Sequence, residues 1–161
     1  MRQVPPETQN PSESGAVTRV LGVIGGGQLA RMMIPAAVNL GVEIYVLAES
    51  EDSSARLAAT QVGEYTDAQT VLDFAQQCEV VTFDHEHVPQ EVLAQLDQAG
   101  VVVRPGAGSL HYAQDKIAMR QKLRELGVPV PGWAAVDSTT EVADFLAEYG
   151  GTAVAKTARG G

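Results

Sequence analysis

Short apolar runs alternate with longer stretches of helical spacing along most of this chain. Val20-Leu21-Gly22-Val23-Ile24 is an unbroken apolar run closed by Gly25-Gly26-Gly27, the signature of a buried parallel strand. From Gln28 to Leu40, the residues Leu29, Met32, Met33, Ala36, Ala37 and Leu40 recur at helical spacing, and Gly41 follows as a stop signal. Pro35 breaks that pattern and predicts a helix that bends or divides there. Val42 to Leu47 reads as a second strand, which completes a βαβ unit with a right-handed crossover.

The alternation continues. Ser53 to Ala59 predicts a short capped helix and Gln61 to Tyr65 a short strand. Ala68 to Gln77 is helical in pattern, Glu79 to Phe83 a strand, Pro89 to Gln98 a helix opened by proline, and Val101 to Arg104 a further strand. Together these predict an α/β fold with a doubly wound, Rossmann-like parallel sheet. Pro105-Gly106 marks a boundary, beyond which the pattern predicts a helix over Lys116 to Leu126, a strand over Gly132 to Val136, a helix over Thr139 to Tyr149 and a strand over Thr152 to Thr157. The expected organisation is a disordered extension over residues 1–18, rich in Pro, Glu, Ser, Gln and Asn, a Rossmann-like domain over 19–106, and the start of a second domain over 107–161. A final strand and glycine loop at Ala158-Arg159-Gly160-Gly161 have nothing to return to, so the expectation is a chain cut short of its second domain.

Composition narrows the class. A hydrophobic content of 45% with only 5% aromatic residues suits an aliphatic core of Val, Leu and Ala. Eleven Lys and Arg against twenty Asp and Glu leave a formal charge of -9, which argues against a duplex nucleic acid as partner. Any anionic ligand must be held locally, which draws attention to Arg104, Lys116 and Lys156. Cys78 is the single cysteine, so an intrachain disulfide is excluded, and its place before Val80-Val81 predicts a buried thiol. No apolar run reaches the length of a membrane span and the first residues lack a signal-peptide core, so a cytoplasmic location is expected.

Three places could carry chemistry. The turn Gly25-Gly26-Gly27 follows a strand and opens a helix, where backbone amides and the helix dipole favour an anion such as phosphate. With Ala30 it also reads as a permissive dinucleotide fingerprint, although the acidic partner expected at the end of the second strand is replaced by Ala48, with Glu49 one place late. A nicotinamide or flavin cofactor and a purely structural turn therefore both stay open. In Asp84-His85-Glu86-His87, strand alternation predicts Asp84 and Glu86 on one side and His85 and His87 on the other. Carboxylates at a strand's carboxyl end can hold hydroxyl or amino groups, while the two histidines without a further ligand make a poor metal site. Lys156 lies in Ala153-Val154-Ala155-Lys156-Thr157, where burial would be costly unless the ammonium met an anion.

These motifs together resemble the ATP-grasp ligases of purine synthesis, and among them the carboxylating ribonucleotide synthetases. The resemblance runs from about Leu21 to Gly161 and rests on six motifs in order: Gly22 to Met32, Val80 to Val88, Arg104-Pro105, Gln114-Asp115-Lys116, Gly127-Val128-Pro129, and Lys156 to Gly161. It implies a pre-ATP-grasp domain followed by the beginning of an ATP-grasp domain. It further implies that Gly26, Gly27, Gln28 and Leu29 border the phosphate and sugar of a ribonucleotide, that Asp84 and Glu86 help hold that substrate, and that Arg104, Lys156, Gly160 and Gly161 contact ATP. The implied reaction consumes ATP and bicarbonate and carboxylates aminoimidazole ribonucleotide, with Mg2+ ligands lying beyond Gly161 and a homodimer as the assembly. Other ligases of the class, of the formate-using transformylase or biotin carboxylase type, are its nearest alternatives. Two departures stand out: the family commonly has Glu where Asp84 stands and an acidic residue where Ala48 stands.

Overall fold

The computed structural model describes residues 19–160; the extension expected over residues 1–18, and Gly161, lie outside them. Four parallel strands, β1 (Val20–Ile24), β2 (Glu43–Ala48), β3 (Ala59–Val62) and β4 (Val80–Phe83), form one sheet in the order β3-β2-β1-β4. The chain moves outward from β1 through β2 to β3, then returns to place β4 on the other side of β1, so the switch point lies between β1 and β4. Register is continuous across the centre, with Ile24 opposite Leu47 on β2 and Phe83 on β4.

Each face of the sheet is covered. Helix α1 (Gln28–Leu40) lies over Val23, Val46 and Ala48 and buries Ala30 and Ala37. On the opposite face, α2 (Ala68–Ala75) and α3 (Gln90–Gln98) enclose Ile24, Leu47, Phe74, Val81, Leu93 and Leu96 in the larger core. The doubly wound parallel arrangement is therefore present, built from the small aliphatic residues that the composition favours. Cys78 packs half-buried against Gly22, and burial pushes its thiol up to about 11, which suppresses the nucleophilic thiolate.

Pro35 sits inside an unbroken α1 rather than dividing it. Its ring is exposed, and only one helical hydrogen bond is forfeited. Residues 53–59 form a three-residue 3-10 turn, Arg56–Ala58, instead of a capped helix, and the following strand starts earlier than expected, at Ala59. The strand expected over Val101 to Arg104 is reduced to a single bridge, Val81 with Val103, held by Val81 N–H to Val102 O at 2.9 Å and Arg104 N–H to Val81 O at 2.8 Å.

Three further helices follow: α4 (Ala107–Gln114), α5 (Lys116–Glu125) and α6 (Thr139–Glu148). The strands expected over Gly132 to Val136 and Thr152 to Thr157 do not form. A strand needs a ladder partner, and none of the described residues offers these runs one. The segment around Lys156 is exposed throughout, so the burial cost argued for that lysine does not arise. Among the described residues no helix is long and apolar enough to cross a membrane.

Candidate functional site

The carboxyl ends of β1, β2 and β4 meet at the glycine turn. Gly25 N–H donates to Leu47 O and Asp84 N–H to Ile24 O, both at 2.9 Å, so the turn is pinned from each neighbouring strand. Gly25 has φ +103°, a conformation that side chains rarely adopt, and a Cβ there would lie 2.9 Å from the His85 ring. Gly26 must be glycine for a different reason: a Cβ would meet those of Ala48 and Ser53 at 2.8 Å.

Two carboxylates close on this turn. Asp84 Oδ1 accepts the Ala30 N–H at 2.7 Å and so caps α1 from the end of β4, a task that Gly27, the N-cap residue, cannot perform. Glu49 Oε2 accepts the Gly26 N–H at 3.0 Å, and its Oε1 lies 3.1 Å from His85 Nε2. His85 Nδ1 accepts the His87 N–H at 3.2 Å, which assigns the Nε2-protonated tautomer and makes His85 the donor to Glu49. Partial burial tends to raise the Glu49 carboxyl, but hydrogen bonds from Gly26, its own amide and His85 outweigh that and hold it below its ordinary value. The Tyr65 and His85 rings pack in a T-shaped pair with centroids 4.6 Å apart.

Glu49 stands one place beyond the position, held by Ala48, where the dinucleotide pattern expects an acid. Ala48 is fully buried against Gly26, and β2 ends beside β1, so the next side chain is the first free to reach the turn. The signal was present in the register of the two strands, which periodicity alone does not supply.

The alternation expected through residues 84–87 fails because β4 ends at Phe83. Asp84 and His85, adjacent in sequence, both reach the glycine turn, whereas Glu86 lines an open hollow of about 270 Å³ with Gln90, Gln114, Arg159 and Gly160. A second hollow, of about 350 Å³, is lined by Lys116, Lys156, Thr157 and Gly160. Gly160 therefore borders both. Gln28 and Leu29 are exposed on the first turn of α1, and the amides of Gly27, Gln28 and Leu29 make no hydrogen bond among the described residues. Arg104 lines neither hollow; its Nη1 donates to Val103 O at 2.8 Å. Gly161 lies outside the described residues. No three His, Cys, Asp or Glu side chains among the described residues converge as a metal cage.

Fold and crevice together define a doubly wound parallel α/β domain with a crevice at the switch point of its sheet. Within that class, the chain belongs to the ribonucleotide synthetase preATP-grasp domain family, whose model matches residues 18–114. It is 42% identical over 154 residues to the N5-carboxyaminoimidazole ribonucleotide synthase of Corynebacterium ammoniagenes, covering 94% of this chain and 37% of that protein. The corresponding synthase of Mycobacterium tuberculosis is 39% identical over 156 residues, covering 96% of this chain and 36% of that protein. The chain thus spans little more than a third of the length of these curated relatives. Among solved structures, N5-carboxyaminoimidazole synthetase from Staphylococcus aureus complexed with ADP superimposes with a TM-score of 0.75 at 28% identity, over 89% of this chain and 39% of that one. The Aspergillus clavatus synthase in complex with ADP and 5-aminoimidazole ribonucleotide gives 0.71 at 27% identity, over 83% and 36%.

Proposed function

We propose that this chain forms the N-terminal part of an ATP-dependent carbon–nitrogen ligase of purine biosynthesis, residues 19–106 binding the ribonucleotide and residues 107–161 beginning the ATP-grasp domain. The complete enzyme uses ATP and bicarbonate to carboxylate 5-aminoimidazole ribonucleotide to N5-carboxyaminoimidazole ribonucleotide. A bicarbonate oxygen attacks the γ-phosphorus, ADP departs, and carboxyphosphate breaks into carbon dioxide and phosphate. The substrate amine then attacks carbon dioxide and gives up a proton.

The observation that carries this reading is the set of uncommitted amides at Gly27, Gln28 and Leu29, beside the acidic rim of the same crevice. An anion suits those amides at the positive end of α1. Gly26 is already engaged by Glu49, and Asp84 by Ala30, so the substrate phosphate falls to the three remaining amides. Glu86, free of a side-chain partner among the described residues, is the carboxylate available to a substrate hydroxyl or amine. Lys116 and Lys156, which line one hollow with Gly160, supply positive charge for ATP phosphates, with Arg104 and Gly161 further contacts expected on the ATP side. ATP would bring Mg2+ to screen its phosphates, held by carboxylates outside the described residues.

A dinucleotide-binding module is the alternative from another class, since Glu49 follows β2 as a ribose-binding acid does. Its carboxylate is already committed to Gly26 N–H and His85 Nε2, which hold it against the glycine turn. The complete enzyme, expected as a cytoplasmic homodimer, should release phosphate from ATP only when bicarbonate and aminoimidazole ribonucleotide are both present. ATP turnover indifferent to the ribonucleotide would refute the reaction.

A further inference from the structure

Asp115 is the single residue between α4 and α5, and together with Gln114, the last residue of α4, it grips two different parts of the chain. Gln114 Nε2 donates to Glu86 O at 2.9 Å and to Val88 O at 2.6 Å, which uses both of its hydrogens. Its Oε1 accepts from Gln90 Nε2 at 2.7 Å, so the amide has one orientation that satisfies every partner. Asp115, the next residue, faces the other way. Its Oδ1 accepts from Ile117 N–H and Ala118 N–H at 3.0 and 2.9 Å, which caps α5, while Oδ2 accepts from Arg159 Nε at 3.1 Å. The backbone reinforces the second grip: Asp115 bridges Arg159, and Lys116 N–H donates to Ala158 O at 2.9 Å. One peptide unit therefore ties the loop after β4 to the segment that carries Arg159 and Gly160, and the hollow containing Glu86 lies between them.

We propose that Gln114 is a positioning residue for the ribonucleotide: by holding the carbonyls of Glu86 and Val88 it aims the Glu86 carboxylate into the hollow, and through Asp115 it fixes that carboxylate's distance from the Arg159–Gly160 segment. The role rests on the function proposed above. A loop tied only by its own backbone would sample many placements of Glu86, and each lost placement costs affinity for the ligand that Glu86 holds. The Gln114 side chain makes all three of its hydrogen bonds on the Glu86 side, whereas the grip on Arg159 and Ala158 is made by Asp115 and the Lys116 amide and survives a change at Gln114, so the effect falls on the ribonucleotide.

Gln114→Met preserves length and packing and removes all three hydrogen bonds. In the complete enzyme this change should raise KM for the ribonucleotide about tenfold, the equivalent of one net hydrogen bond, while KM for ATP stays within about twofold. In the 161-residue chain, amide hydrogen exchange across residues 85–90 should quicken while the core strands keep their protection. A wild-type enzyme without ribonucleotide-dependent turnover overturns the reaction and this role with it. A working wild-type enzyme whose Gln114→Met variant keeps its ribonucleotide KM, or loses both KM values together with its melting temperature, overturns the positioning role alone.

Discussion

The two halves of this molecule are built on different principles. From Val23 to Leu110 the elements bury one another: every buried hydrophobic residue among the described ones lies in that span. Beyond it, α5 and α6 bury none of their residues. What specifies those helices is local. Asp115 caps α5, Ser138 and Glu141 form a capping box on α6, Phe145 stacks on Tyr149 at 4.5 Å, and the Arg124 guanidinium lies 5.1 Å from the Trp133 ring. The contrast teaches that a well-formed helix is not proof of a core beneath it.

Removing one ring from each half is the most forceful way to break this comparison. Phe74 is among the largest fully buried side chains, and Phe74→Ala should cost about 3 to 5 kcal/mol through lost burial and the cavity left behind. Phe145→Ala removes the same atoms from a half-buried site and should cost about 1 kcal/mol, the worth of one aromatic pair. Urea unfolding followed by circular dichroism measures both. Equal losses would mean that α6 belongs to the core after all.

Adding one carbon tests how far close packing extends within the first half itself. A Cβ on Gly22 would stand 2.5 Å from Cys78 Sγ and 3.1 Å from the Phe74 ring, so Gly22→Ala should destabilise by about 1 to 3 kcal/mol as the overpacked face shifts. Gly108 lies in α4 with nothing within 4 Å of the added carbon, and Gly108→Ala should stabilise by about 0.5 to 1 kcal/mol through helix propensity. Opposite signs in one thermal-unfolding experiment would establish where close packing ends.

The same boundary explains what the sequence disclosed. Strands β1, β2 and β4 were legible because an apolar run closed by a turn has few alternatives when both faces are covered. The runs at Gly132 to Val136 and Thr152 to Thr157 have the composition of strands, but pairing is a property of two segments, and the second is not among the described residues. At the crevice, Gly25 to Gly27 and the acidic stretch after β4 were recognisable by their place after strands. Glu49 was not, because its reach depends on β2 lying in register with β1; Gln114 stood out only as part of a motif, and its bonds were hidden because its partners are up to 28 residues away in sequence. The side-by-side placement of Asp84 and His85 was also hidden, since it follows from β4 stopping at Phe83.

Function should divide along the same line in the complete enzyme. Glu86 lies after β4 and Lys156 in the exposed segment beyond α6, so Glu86→Ala should raise KM for the ribonucleotide about tenfold and Lys156→Ala should do the same for ATP. Asp84→Ala should raise the ribonucleotide requirement less, because the primary bond of Asp84 is to Ala30 within the fold. Crossed effects, with Glu86 governing ATP, would sharpen the picture by placing the nucleotide nearer to β4 than the two hollows suggest.

Acid separates the halves most gently. Glu49 and Asp67 in the sheet unit, and Asp115 and Glu141 beyond it, are all held below their ordinary values. Hydrogen bonds from Thr70 do this for Asp67, the Ala118 amide and the Arg159 side chain for Asp115, and the Asp137 amide and Ser138 for Glu141. A carboxyl depressed in the folded state binds fewer protons there than when unfolded, so its contribution is complete above the ordinary value and fades as the pH falls through the folded one. Loss should therefore begin as the pH drops through 4.5 for Glu49 and 3.8 for Asp67 and continue below. Asp67→Asn should remove part of that acid sensitivity from α2, and Glu141→Gln the corresponding part from α6. Because α6 carries no buried residue, Glu141→Gln should lower helical content near neutral pH, with the difference from the unaltered chain closing as the pH falls and with little shift in the unfolding midpoint, whereas Asp67→Asn should move the midpoint itself. Circular dichroism at 222 nm, read from pH 6 down to about pH 3, distinguishes the two, and a midpoint that responded equally to both would tie α6 to the folding of the sheet.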